Sequence, residues 1–157
     1  MRVGVIDLRV DERYETQVEL HALREAAERT LRHQSEEAYD LTVLITGDQL
    51  VRELSQRHRG VDSTTDVLAF INDPVGPFVD APGLGRYLGD IIISFPQAER
   101  QAARAGNDIS AELQLLVVHG VLHLLGYDHE SEPEGAEMWA AQEAVLDELG
   151  LEVDLPD

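Results

Sequence analysis

His119-Gly120-Val121-Leu122-His123-Leu124-Leu125-Gly126-Tyr127-Asp128-His129 places three imidazoles at offsets of four and then six residues inside an apolar segment. Residues four apart lie one turn above each other on the same helix face, so His119 and His123 can converge on a single ion. Glycine reaches left-handed backbone angles at little cost and commonly ends a helix just past its cap; Gly126 can therefore turn the chain back and bring His129 to the same point. Three protein ligands leave a tetrahedral ion one open position, the arrangement of catalytic zinc, whereas structural sites are closed by four. The chain has no cysteine with which to close such a site. A single histidine on an apolar face is ordinarily a satisfied core residue. Several imidazoles among leucines and valines, however, cost free energy unless each is hydrogen-bonded or coordinated, and one metal ion satisfies all three. The expected ligand set is His119, His123 and His129, and the expected cofactor is one Zn2+ per chain, although imidazole suits nickel as well.

The segments around this helix predict an α+β order. Residues 3–10 alternate with the period of a half-buried strand, and residues 16–34 set Val18, Leu20, Leu23, Ala27 and Leu31 near helical spacing, so a first strand and helix are expected to follow each other directly. Residues 41–46 read as a second strand, 48–57 as a short helix with an acidic first turn that suits the helix dipole, and 66–71 as a third strand. Pro74, Gly76, Pro77, Pro82, Gly83 and Gly85 mark a loop over residues 72–85, long for a compact domain and expected to form a lip beside the site. A fourth strand (87–94), a short helix (96–105), the metal helix (109–125) and an amphipathic last helix (134–149) around Met138, Trp139, Ala141, Val145 and Leu146 complete the chain. The expected architecture is one domain over residues 1–157: a sheet of about four strands packed with helices, with a buried ligand-bearing helix in the C-terminal third. From Leu113 to Leu125 that helix is apolar on nearly every side, as expected where sheet and helices both cover it.

The spacing H-x-x-x-H-x-x-G-x-x-H is that of the metzincin zinc proteases, which carry a glutamate directly after the first histidine as general base. That position is Gly120 here. General-base help is worth several orders of magnitude in rate, so the helix is built for a metal but not for ordinary peptide hydrolysis. Gly120 could instead serve close helix-to-helix packing, or let another chain segment approach.

Residues 119–129 resemble the H-G-x-L-H-L-x-G-Y-D-H signature of the YbeY family, bacterial metal-dependent endoribonucleases of ribosomal RNA maturation, at all eleven positions. The likeness continues in Thr65-Asp66-Val67-Leu68-Ala69-Phe70, similar to the family's T-[DN]-V-L-S-F, and in Leu88-Gly89-Asp90-Ile91-Ile92-Ile93-Ser94, similar to its L-G-D-I-x-I strand. Arg59 falls where the family keeps its functional arginine. Leu54-Ser55-Gln56-Arg57-His58-Arg59 departs from the family's Leu-Asn-x-x-Tyr-Arg in its asparagine and tyrosine, and Ala69 stands where serine is common. The resemblance implies a zinc-dependent endoribonuclease specific for single strands, acting in maturation of the small-subunit rRNA 3′ end and in ribosome quality control, with rRNA and small-subunit ribosomal components as partners. Arg59 would grip the phosphate, and Asp128 would act as base or orient a metal-bound histidine. Apart from the resemblance, the cluster of arginines around Arg59 offers Arg57 either as a substrate contact or as part of a solvated helix end. The lack of the glutamate is tolerable if water activated at the ion needs no protein base, if the ribose 2′-hydroxyl attacks, or if Asp128 is the base. Asp66 and Asp90 are expected to fix loop geometry.

A formal net charge of −19 and a pI near 4.4 oppose RNA binding, because phosphate recognition rests on basic groups. The distribution softens this conflict. All 12 basic side chains are arginines at or before Arg104, and 13 acidic residues follow it, so repulsion is concentrated near the last two helices. Arg52, Arg57 and Arg59 crowd together, and arginine favours planar, bidentate contact with phosphate. A hydrophobic content of 43% and a charged content of 27% fit a globular domain. No run is long enough to span a bilayer, the strand-like opening at Met1-Arg2-Val3-Gly4 leads to the expectation of no signal peptide, and the absence of cysteine suits a reducing cytoplasm, the expected location. Two other readings compete: a metal-dependent hydrolase of small or peptide substrates, and a non-enzymatic ribosome-assembly factor in which zinc staples the fold.

Overall fold

A computed structural model describes residues 4–36, 38–59, 67–71, 86–127 and 132–151. The elements run β1 (Ile6–Val10), α1 (Leu20–His33), β2 (Tyr39–Thr46), α2 (Asp48–Arg59), β3 (Val67–Ile71), β4 (Arg86–Ser94), α3 (Phe95–Ala105), α4 (Ile109–Leu124) and α5 (Glu132–Leu149). The four strands form one sheet in the order β1-β2-β4-β3. β1, β2 and β4 are parallel, and β3 runs antiparallel along β4 at the edge. A parallel pair needs a crossover, and α1 supplies it between β1 and β2. The fold is the expected α+β arrangement.

β4 is central, which explains its unbroken Ile91-Ile92-Ile93 run: a strand covered on both faces carries apolar side chains on both. Ile91 and Ile93 join Leu41, Val43 and Ile45 of β2 and Ile6 of β1 in the main core, under α1, α4 and α5. Ile92 points to the other face, where it meets Leu68 of β3 and Val51 of α2, flanked by Leu44, Leu54 and Phe70. The sheet therefore separates two layers, with α4 on one side and α2 on the other.

The first helix departs from expectation. Residues Glu12–Gln17 form a 3-10 turn, Val18 is extended, and α1 begins only at Leu20, so strand and helix are not consecutive. The Asp11 carboxylate accepts the Arg13 backbone N–H at 2.9 Å and grips its guanidinium through two further bonds, while the Tyr14 ring stacks on Phe95 with centroids 4.7 Å apart. A local cap and a tertiary stack thus hold the turn apart from the helix. Leu20, read as part of the apolar face, is 46% exposed; the buried stripe is Leu23, Ala26, Ala27, Thr30 and Leu31. β1 begins at Ile6, two residues after the described chain starts at Gly4; Val3 of the expected strand, like the 72–85 loop, lies outside the described residues. Among the described residues no helix is long and apolar enough to cross a membrane.

Two carboxylate clusters organise the strand ends. At the C-terminal ends of β2 and β4, Ser94 Oγ donates to Asp48 at 2.5 Å and Arg100 to the other carboxylate oxygen at 2.9 Å. Burial raises the Asp48 pKa, but these two donors and the Arg52 charge outweigh it and leave the group below the usual carboxylate range. On β4, Tyr87 hydrogen-bonds Asp90 and, at 2.7 Å, Thr42 of β2; burial and the Asp90 carboxylate push its phenol upward. Asp90 is thereby engaged in a cross-strand network.

Candidate metal centre

α4 carries the two ligand candidates because its burial is nearly complete. Over residues 115–124 every position is buried except His119 and His123, which are half-buried. The helix packs against β3 and β4 and against α1, α3 and α5, so apolar side chains serve all round it and the imidazole face is where it opens. The two rings stand edge to face with centroids 4.7 Å apart, as i, i+4 geometry requires.

The helix stops as its glycine predicts. The Gly126 N–H reaches the His123 carbonyl at 3.0 Å and the Tyr127 N–H the Leu122 carbonyl at 3.0 Å, a Schellman closure with Gly126 at φ 105°. Tyr127 then anchors the exit, its hydroxyl donating to Gln34 Oε1 at the end of α1 at 2.9 Å. His129 and Asp128 follow immediately and lie outside the described residues, as does Asp66. Among the described residues, accordingly, no three His, Cys, Asp or Glu side chains come together.

Gly120 has a definite neighbour. A Cβ there would sit 2.9 Å from Ile91 Cγ2 and 3.1 Å from its Cγ1 and Cδ1. The glycine therefore seats α4 against β4, which is helix-to-sheet packing rather than the helix-to-helix packing considered from sequence. Its position explains the missing metzincin base as well: the residue after the first histidine faces the sheet, so a side chain there would enter the core.

One residue at the site carried no motif. Gln142 of α5, 2% exposed, turns Oε1 to His119 Nδ1 at 2.9 Å. A carboxamide oxygen only accepts, so this contact suits the tautomer that carries its proton on Nδ1 and leaves the Nε2 lone pair for a metal. The donor set of this pair thus fits an ion such as zinc. A signal was available in the sequence: Gln142 interrupts the stripe Met138, Ala141, Val145 and Leu146 with a polar group.

The arginines are set apart from this face. Arg57 is exposed on α2, across the sheet from α4, and among the described residues it has no ion-pair partner. Arg59 is the last residue of α2, and its side chain lies outside the described set. By contrast Arg9, Arg13, Arg29 and Arg100 are each paired with a carboxylate. The edge strand β3 touches α4 as well as α2.

The model of the Endoribonuclease YbeY family matches residues 9–150. A curated relative from Roseiflexus castenholzii, named Endoribonuclease YbeY, is 45% identical over 149 residues, covering 94% of each chain. Another of that name, from Shouchella clausii, is 46% identical over 131 residues, covering 80% of this chain and 79% of its own. The solution structure of the Thermotoga maritima protein TM1509 superposes with a TM-score of 0.61 at 28% identity, covering 92% of this chain and 89% of that one. With a match over nearly its whole length, together with a histidine pair presented by a buried helix, the chain belongs to the Endoribonuclease YbeY family.

Proposed function

We propose that this chain is a zinc-dependent endoribonuclease that cleaves single-stranded RNA, in maturation of the small-subunit rRNA 3′ end and in ribosome quality control. The observation that carries the reading is the half-buried His119–His123 pair, with Gln142 Oε1 against His119 Nδ1; the endoribonuclease names of the relatives supply the reaction class. His119, His123 and His129 would hold the ion. Zinc bound there supplies a Lewis acid that stabilises charge on the phosphate in the transition state.

The protein's own groups divide the remaining work. Gln142 orients His119. Arg59 grips the phosphate, and Arg57, exposed and not taken by a carboxylate among the described residues, supplies a second guanidinium on the same helix. RNA passing over the edge strand β3, which α2 and α4 approach from opposite sides, would meet both arginines and histidines. Since the position after His119 faces Ile91, no base can stand where metzincins place theirs. Asp128 orients a histidine ligand, and the ribose 2′-hydroxyl and water remain the candidate nucleophiles; a 2′,3′-cyclic phosphate product marks the first and a free 5′-phosphate the second. The same reading places the protein in the cytoplasm with small-subunit ribosomal components.

The test is direct. Purified protein is assayed for bound metal and challenged with single-stranded RNA, duplex RNA and casein, with and without chelator. Cleavage of single-stranded RNA alone, abolished by chelator and by His123→Ala, is expected; Arg59→Ala should lose cleavage while keeping its metal. RNA left intact by metal-loaded protein sinks the nuclease reading in favour of an assembly role, and casein cleavage sinks it in favour of a peptidase.

A further inference from the structure

We infer that Gln142 is a positioning residue for the metal centre, holding His119 in the tautomer and ring orientation that present Nε2 to the ion; the inference rests on the metal reading proposed above. Three observations carry it. Gln142 is 2% exposed and occupies a core position of α5, one turn from Met138 and one turn from Leu146, where an apolar side chain of similar volume would pack as well. A buried amide left unbonded costs about 1–3 kcal/mol, so its place on this stripe needs a partner to justify it. Its oxygen has that partner in His119 Nδ1, 2.9 Å away on another helix and 23 residues distant in sequence.

The chemistry follows from the imidazole. A neutral ring has one N–H and one lone pair, and unrestrained it exchanges between two tautomers while rotating about its Cβ–Cγ bond. An acceptor fixed opposite Nδ1 selects the Nδ1–H form and arrests the rotation. His119 therefore meets an ion already oriented, and the ordering cost is carried by the packing of α5 on α4 instead of by metal binding. The docked last helix thereby becomes part of the metal centre. Partners of this kind typically change metal affinity by about 10–100-fold when removed.

The experiment compares Gln142→Leu, which removes the acceptor, with Gln142→Glu, which retains one. In metal-free protein at pH about 8, where imidazoles are neutral, long-range 15N–1H correlation spectra read the His119 tautomer. Zinc affinity is then measured by competition with a chromophoric chelator. The parent and Gln142→Glu should show Nδ1–H at His119, and Gln142→Leu a tautomer mixture. Zinc should bind about 10–100-fold more weakly to Gln142→Leu and within about threefold of the parent to Gln142→Glu. Should Gln142→Leu fail to fold, Gln142→Met, matched in length and unbranched, carries the same expectations. A folded acceptor-less variant that keeps the parent tautomer and binds zinc within about threefold overturns the role of Gln142 while leaving the metal reading intact. A parent that shows Nδ1–H at His119 yet binds no zinc overturns the metal reading, and with it the function assigned to Gln142.

Discussion

Alanine is the best helix former and glycine among the worst, so Gly120→Ala at an unconstrained helical position should stabilise by about 1 kcal/mol. Here the opposite is expected. The new Cβ would lie 2.9 Å from Ile91 Cγ2 and 3.1 Å from Cγ1 and Cδ1, against an ordinary carbon contact of about 3.5–4 Å. The overlap falls on three atoms of one side chain, which cannot swing aside easily. Ile91 is fully buried in the middle of β4, paired with Val43 and Ala69, and β-branched residues are stiff at χ1. Overpacking of this kind costs about 1–3 kcal/mol, and with three contacts on a stiff neighbour the upper half applies. Subtracting the propensity gain leaves a net loss of about 1–2 kcal/mol. Urea unfolding followed by the fluorescence of the single tryptophan, Trp139 on α5, reads this as a midpoint lowered by about 0.5–1 M at unchanged slope. A Gly120→Ala midpoint equal to or above the parent's refutes the reasoning. A double-mutant cycle with Ile91→Ala, which deletes all three clashing atoms, should recover about 2–3 kcal/mol of coupling, the whole of the overlap and not only its net cost.

Further expectations concern other parts of the fold. Ser35 ends α1 in the left-handed region, at φ 58°, with the Glu36 N–H closing on Leu31; Ser35→Gly should stabilise by about 0.5–1 kcal/mol, raising Tm by about 1–4 °C in a calorimeter. Ser94→Ala removes both the cap of α3 and a donor to Asp48, and chemical denaturation should show a loss of about 1–2 kcal/mol. The Asp48 pKa is lowered on folding, so its contribution is fully present above the unfolded value of about 3.9 and is lost as pH falls from there through the folded value. Arg100→Ala should therefore flatten the stability-versus-pH curve below pH about 4 and leave its shape near neutrality unchanged. His123→Ala should keep the parent's far-ultraviolet circular dichroism while losing retained zinc, measured by atomic emission after dialysis; a variant as zinc-rich as the parent removes His123 from the ligand set.

Legibility in the sequence followed the range of the forces involved. The period of residues 41–46 and the continuous apolar run in 87–94 marked β2 and β4 closely, since side-chain alternation and two-sided burial are written locally. The start of α1 was misplaced because Val18 and Leu20 fit a helical period, while the forces separating the turn from the helix, the Asp11 cap and the Tyr14–Phe95 stack, act partly through a residue far along the chain. The strand order, with β3 at the edge and antiparallel, had no local signature: each strand reports which of its faces is apolar but not its neighbour.

The histidine pair belongs to what the sequence determined by itself. The i, i+4 offset on an apolar helix and the glycine that ends it are consequences of 3.6 residues per turn and of the left-handed freedom of Gly126, neither of which depends on the rest of the chain. Tertiary structure decided what those elements meet. Only the packing of α4 on β4 shows that Gly120 yields its volume to Ile91, and only the docking of α5 brings the Gln142 oxygen to His119. Backbone periodicity is local, whereas the identity of a side chain's neighbour is settled when all the apolar faces are buried at once.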